Sequence, residues 1–405
     1  MMSTQTINET SRTTEWPVLI SLFTFIFLIG TETFLVSPIL PQIANNFSST
    51  IRDAASIVTA YVLAYAFFAP LLGVMSDALG RKLFIVGGAT IFCLGNIIAS
   101  IASSLDILTF ARCITGIGAA MAGPSIWAFI GDTTHHSIRG RIISFGMAAF
   151  SLGQVLGVPL GASITAWLGW QWAFRSLGII ILLITPFLLF YLRKYPHHKD
   201  VASKSKLRLL FGISHNKPVL LALASTFFWA AANLGSYTFV GAILQSRYQL
   251  STQFLGLAVT VVGISSFIGS LVGGRFADYW RSKKRYEEQL VGFWSFLLGV
   301  AIFGFVVASA LWLSLFFLAI WFIASGAFVT AQQTLLTILA ADLRGATLSW
   351  NNSVMYAGTA VGVSLIGTFS ARNAWLNMGW IGLLLGLVPI ICVFLLSHIR
   401  SSTSL

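Results

Sequence analysis

Two ionisable residues stand in apolar sequence where an isolated charge is costly: Glu32, inside the run that follows Trp16, and Arg112, inside the run that follows Asp106. At a rise of about 1.5 Å per helical residue, Arg112 lies about 9 Å in from Asp106, and Glu32 about the same distance in from Pro38. Opposite charges at one depth of a membrane are expected to pair, since each alone would cost roughly 2.5–3.5 kcal/mol or more. A carboxylate held in this way, and reached by water in only some conformations, is suited to take up a proton and give it back. The expected role of Glu32 and Arg112 is therefore proton coupling, with a purely structural ion pair as the alternative.

Further chemistry sits in the loops. Gly73-Val-Met-Ser-Asp77-Ala-Leu-Gly80-Arg81-Lys82 separates two apolar runs, and a reduced copy, Gly274-Arg-Phe-Ala-Asp278-Tyr-Trp-Arg281-Ser-Lys283, follows 201 positions later. Asp77, near a helix end, is placed to accept backbone N–H bonds from a facing helix N-terminus and to pair with Arg81, latching two bundles together. Arg139, Gly140, Ser144, Gly153 and Gly157 recur 205 positions on as Arg344, Gly345, Ser349, Gly358 and Gly362, so the chain reads as a duplication. In Gly153-x-x-x-Gly157-Val-Pro159-Leu-Gly161, glycines admit a facing helix and the proline removes one internal hydrogen bond.

These residues need helices in a membrane to position them. Only 9% of the 405 residues are Asp, Glu, Lys or Arg, and 57% are hydrophobic, in runs about as long as a hydrocarbon core of about 30 Å demands. Continuous runs such as Leu177–Leu192 and Val291–Ala308 lack the alternation of barrel strands. The expected spans are 16–38, 54–74, 83–103, 106–130, 142–166, 171–192, 218–243, 252–274, 290–308, 311–332, 346–370 and 375–397. The fold class is therefore an all-α polytopic membrane protein of twelve transmembrane helices in two pseudo-symmetric six-helix bundles, 1–192 and 218–405. A basic linker, 193–217, joins them and is expected to lie against anionic lipid. The first run, from Trp16, is read as an uncleaved span.

The net charge of +12 is a matter of sidedness and not of nucleic-acid binding. With a cytoplasmic N-terminus, nineteen of 24 basic residues fall on inner segments, against Arg52, Arg175, Arg247 and Arg372 outside and Arg112 within a helix. Both termini are thus expected in the cytoplasm. Polar and aromatic residues of the spans expected to line a cavity, Tyr61, Tyr65, Gln154, Trp229, Asn233, Tyr237 and Gln332, suggest an amphipathic pocket for neutral, lipophilic or cationic compounds. Cys93, Cys113 and Cys392 all fall in apolar spans, and the pairs His135-His136 and His197-His198 lack neighbouring Cys ligands, so no metal site is expected. No phosphate-binding Gly-x-x-x-x-Gly-Lys-Ser/Thr segment occurs, which argues against an ATP-driven pump.

On these motifs the chain resembles the major facilitator superfamily over essentially its whole length, and within it the twelve-span drug:proton antiporter branch that includes sugar and nucleoside exporters. The loop pattern G-x-L-x-D-x-x-G-R-K is met at Gly73, Asp77, Gly80, Arg81 and Lys82, with Met75 in place of Leu; Arg112, Thr115 and Gly116 resemble the fourth-span motif, Thr115 replacing its usual glutamine. The stretch Gly153, Gly157, Pro159, Gly161 resembles the antiporter motif, its proline displaced by one position. The resemblance implies a non-enzymatic exporter working by alternating access, driven by a proton gradient with no cofactor. It also implies a cytoplasmic gate of Gly73, Asp77, Gly80, Arg81, Lys82 and Asp132, a small-molecule substrate, and a monomer in the plasma (bacterial inner) membrane. An uptake symporter or facilitator of the same fold, and a membrane-embedded sensor without transport, remain the alternatives.

Overall fold

A computed structural model of the protein describes residues 16–192, 216–283, 287–340, 344–369 and 375–403. The linker before Asn216, His197, His198 and Arg372 lie outside the described residues. Twelve long helices follow in order: α1 Trp16–Asn46, α2 Ser56–Leu79, α3 Arg81–Ser100, α4 Leu105–Thr133, α5 His136–Leu168, α6 Trp170–Tyr191, α7 Lys217–Tyr248, α8 Thr252–Ser282, α9 Glu288–Val307, α10 Leu311–Leu339, α11 Arg344–Phe369 and α12 Trp375–Thr403. Eleven are long and apolar enough to cross a membrane. The remaining one, α11, has the length but carries Thr347, Ser349, Asn351, Asn352 and Ser353.

Local chemistry sets the helix ends. Ser104 caps α4 by accepting from the Ile107 N–H, and Asn216 caps α7 by accepting from the Val219 N–H next to Pro218. Gly80, at φ 105°, turns the chain from α2 directly into α3, a conformation that a residue with a Cβ rarely adopts. Three helices depart from simple spans. α1 runs eight residues beyond the expected end at Pro38, with Pro38 and Pro41 inside it. α7 breaks after Tyr237 and resumes at Val240. α5 contains a π-helical turn at Gly153–Gly157, after which an α-helix restarts with Pro159 in its first turn.

Because the long helices alternate in direction, both described ends of the chain lie on one face, here called the terminal face; the other is the distal face. Within the first six helices, α3 and α4 pack closely and α1 lies against α5 and α6; within the last six, α7 packs on α11 and α12, and α8 and α9 on α10. The two sets meet along α2–α11, α5–α8 and the distal ends of α1 and α7.

The duplication is visible in how backbones touch. A Cβ on Gly153 of α5 would strike the Phe27 carbonyl of α1, and one on Gly358 of α11 would strike the Phe227 carbonyl of α7. Gly157 lies against the Thr31 side chain and Gly362 against the Ala231 carbonyl, at matching positions of the two helix pairs. The α5–α11 offset is 205 and the α1–α7 offset is 200, so the two helix pairs are the same pair built twice. Small residues are used because lipid gives helices no hydrophobic reason to associate, and close van der Waals contact must supply it. Gly153→Leu should therefore lower stability by about 1–3 kcal/mol or block assembly, read as a fall in the thermal midpoint in detergent that Leu156→Ala, at an exposed position of the same helix, does not show.

Candidate functional site

The centre of the first half is a closed charge cluster. Glu32, midway along α1 and fully buried, receives the Arg112 Nη1 of α4 on Oε1 in a direct ion pair, and the Asn96 Nδ2 of α3 on Oε2 at 2.9 Å. Asn96 also donates to the Phe92 carbonyl at 3.1 Å, which fixes its amide. The Arg112 guanidinium lies over the Tyr61 ring of α2 at 4.6 Å and near the Phe174 ring of α6 at 5.5 Å. The pairing expected from depth is present, with the added donor Asn96, a neutral residue that offered no charge signal. With α3 and α6 enclosing it, the pair faces the interior of its own half. The offset of 200 puts Ala232 where Glu32 stands, so the second half builds the same helix without the acid.

On the terminal face Arg81 joins three helices of the first half. It pairs with Asp77 of α2, donates Nε to Asp132 Oδ2 of α4 at 3.2 Å, and donates Nη1 to Ser76 Oγ at 3.2 Å. Lys82 follows in the first turn of α3 and Gly73 lies within α2. In the second copy Arg281 donates to Glu287 Oε1, with a shortest distance of 2.7 Å, and lies 3.5 Å from Asp278. Glu287 and the fully buried Glu288 open α9. Neither acid was expected inside a span, because the hydropathy run was taken to begin at 290.

The α5 stretch makes contacts on two sides. Gly153, Gly157 and Gly161 face α1, where a Cβ would meet Phe27, Thr31 and Leu35. Pro159 has no N–H to return to the Val155 carbonyl four residues earlier, and that carbonyl accepts from Thr260 Oγ1 of α8 at 3.3 Å. The hydrogen bond that proline denies to α5 is thus made across the two halves. Gln154, buried, lies beside Gly263 of α8.

The residues expected to bind substrate are all buried but do not converge on one point. Trp229 stacks on Phe328 at 4.6 Å within the second half. Asn233 donates to Ser325 Oγ at 2.9 Å and accepts from Trp321 Nε1 at 2.7 Å, and Gln332 donates to Thr226 Oγ1 at 2.9 Å. These three join α7 to α10. Tyr65 of α2 instead meets Tyr356 of α11, the rings tilted and 4.1 Å apart, while Tyr61, one turn earlier, lies under Arg112. Tyr237 belongs to a clasp between α1 and α7: its hydroxyl donates to the Phe34 carbonyl at 2.8 Å, and its carbonyl accepts from Ser37 Oγ at 2.7 Å. Ser37 Oγ in turn accepts from the Gly241 N–H at 3.3 Å. A Cβ at 241 would strike the Ser37 carbonyl, so glycine is what lets the clasp shut. The break in α7 is what presents Gly241 to α1; no residue pattern announced it. Among the described residues no group of three His, Cys, Asp or Glu is placed to hold a metal ion.

The family model of the Major Facilitator Superfamily matches residues 22–363. The chain is 30% identical over 358 residues to the MFS-type transporter YceJ of Bacillus subtilis (strain 168), covering 85% of this chain and 87% of that one. It is 26% identical over 379 residues to YbcL of the same organism, covering 94% and 95%. Among solved structures, a bacterial homolog of the human lysosomal transporter Spinster, inward-facing and occupied, superposes with a TM-score of 0.73 at 16% identity over 94% of this chain and 96% of that one. The xylose transporter XylE from E. coli, partially occluded and inward-open, superposes with a TM-score of 0.69 at 16% identity over 93% and 97%.

Two outcomes follow from this geometry. Glu32→Leu leaves a buried guanidinium without its counter-ion and should cost about 3–5 kcal/mol, whereas Glu32→Leu with Arg112→Met should recover most of that loss; chemical denaturation of all three proteins measures it. Gly241→Val should hold the distal ends of α1 and α7 apart, seen as a longer distance between spin labels at Asn45 and Ser246.

Proposed function

Because the chain belongs to the major facilitator superfamily, a family of membrane transporters and not of enzymes, we propose that it is a proton-coupled exporter of small neutral, lipophilic or cationic compounds, of the drug:proton antiporter type. The observation that carries this reading is the Glu32–Arg112–Asn96 cluster. A buried acid in a membrane helix is expensive, and Ala232 in the matching helix indicates that the scaffold folds without one. The acid is kept in one half only, which favours a working role over a packing role.

The terminal face is cytoplasmic in this reading. Arg81, Lys82, Arg139, Arg141, Lys217, Arg275, Arg281 and Lys283 lie on it, against Arg52, Arg175 and Arg247 on the distal face, the asymmetry of the positive-inside rule. The clasp of Ser37, Tyr237 and Gly241 then closes the outer side, while Gly73 and Gly274 at the terminal face have room for a side chain. That combination suits a conformer that takes its cargo from the cytoplasm, in the manner of the inward-facing Spinster homolog. A proton reaching Glu32 from outside weakens its hold on Arg112, and the halves rock about α2–α11 and α5–α8. Asp77, Gly80, Arg81, Lys82 and Asp132 act as the inner gate. Cargo lies between the halves against Tyr61, Tyr65 and Gln154, with Trp229, Asn233 and Gln332 shaping the wall behind, and Gly153, Gly157, Pro159 and Gly161 forming the moving joint with α8. The working unit is a monomer in the plasma membrane, with both termini cytoplasmic.

Everted membrane vesicles energised to an acid interior provide the test. Adding tetraphenylphosphonium, ethidium and a panel of neutral lipophilic antibiotics should discharge the pH gradient for at least one compound, and Glu32→Gln should reduce that discharge about tenfold or more. Full activity in Glu32→Gln removes the coupling, and gradient-driven accumulation of the same compound by intact cells, beyond that of cells lacking the protein, reverses the direction.

A further inference from the structure

Tyr356 of α11 belongs to the second half, yet it is buried among residues of the first. Its ring packs at a tilt on Tyr65, centroids 4.1 Å and planes 36° apart, and its hydroxyl lies near Thr33, the neighbour of Glu32 on α1. Tyr61, one helical turn from Tyr65 and close enough to Tyr356 to interact with it electrostatically, carries the Arg112 guanidinium on its ring at 4.6 Å. Arg112 holds Glu32. The route therefore runs from the enclosed acid through Arg112 to Tyr61, one helical turn along α2 from Tyr65, whose ring meets Tyr356 of the other half.

We propose that Tyr356 is the positioning residue through which the second half registers whether Glu32 is bound to Arg112, with Tyr61 as the link between them. The proposal rests on the proton-coupling reading above and supplies what that reading lacks, since among the described residues the polar partners of the acid, Arg112 and Asn96, both lie in its own half. When Glu32 becomes neutral, Arg112 loses its counter-ion, and the aromatic faces left beside it are Tyr61 at 4.6 Å and, farther off, Phe174 at 5.5 Å. The guanidinium and the Tyr61 ring must then settle into a new arrangement. A close-packed interior does not absorb such a shift gradually. Tyr61 is pinned on its other side, because its carbonyl sits where a Cβ of Gly116 would fall, so the displacement is passed toward Tyr65 and Tyr356. The ionisable groups around this route are Glu32, Arg112, Cys113, Tyr61, Tyr65 and Tyr356. Of these, Glu32 is the acid that holds the Arg112 guanidinium in an ion pair, so its protonation is the change that frees Arg112.

The test uses the full-length protein in lipid nanodiscs, with Cys93, Cys113 and Cys392 replaced by alanine and spin labels at Asn45 and Ser246 across the distal face. In the otherwise wild-type protein, the fraction in the longer, distal-open distance should change about fivefold or more between about pH 5 and pH 9. Tyr356→Leu and Tyr61→Leu should flatten that response about threefold or more while Glu32 is intact, and Tyr356→Phe, which keeps the ring, should restore most of it. If a leucine variant fails to fold, Tyr356→Met takes its place. Glu32→Gln should show no pH response. A Tyr356→Leu or Tyr356→Met protein with the wild-type pH response, beside an unresponsive Glu32→Gln, overturns the role of Tyr356 and leaves proton coupling standing. A Glu32→Gln protein that responds as wild type, or a wild type that does not respond, overturns both.

Discussion

Hydrocarbon offers no partner to a charge or to a free peptide group, and each unusual feature of this fold is an answer to that constraint. The acid on α1 is held by a guanidinium and an amide. The carbonyl that Pro159 leaves open is taken up by a hydroxyl on α8. The break in α7 exposes backbone, and Ser37 of α1 accepts from the Gly241 N–H beside it. In the last two cases the partner lies on the opposite half, so satisfying the backbone is also what joins the halves. Local irregularity and interdomain contact are the same event in this chain.

Duplication supplies an internal control that few folds offer. Helix pairs α1–α5 and α7–α11 use glycines at matching positions to bring backbones together, at Gly153 and Gly157 in one half and at Gly358 and Gly362 in the other. Packing has been preserved while charge has not: Glu32 has Ala232 as its counterpart. The loops diverged as well. Arg81 gathers α2, α3 and α4, whereas Arg281 reaches across the start of α9 to Glu287. Symmetric scaffolding with asymmetric chemistry is the arrangement expected where one half houses the ionisable site and the other responds to it.

Much of this was legible in the residues alone. The fold was, because runs of apolar residues, a repeated loop and paired glycines leave little else for a chain of 405 residues to be. The Glu32–Arg112 contact was also legible, since two unlike charges in apolar sequence at comparable depth have few other partners. Less was legible where the decisive feature was uncharged or irregular. Asn96 looked like any polar residue of a span. α1 continues past Pro38 because the Phe34 carbonyl that Pro38 leaves open accepts from the Tyr237 hydroxyl. The glycines of α5 suggested close packing, but the π-turn that redirects the Val155 carbonyl has no residue signature. Tyr237, expected to meet cargo, fastens α1 to α7 in this structure, a contact the sequence did not signal because an aromatic residue with a hydroxyl suits either task. Tyr356 was not singled out, since its partners lie more than 290 positions away in sequence.

The fastening between α1 and α7 contains a serine hydroxyl, a phenol, peptide carbonyls and one amide, and none of its members is ionised. Dissolved electrolyte weakens attraction between ions but leaves contacts between neutral dipoles nearly untouched. The contacts of this fastening therefore hold about as well in concentrated salt as in dilute buffer, unlike the ionic network that Arg81 builds on the opposite face.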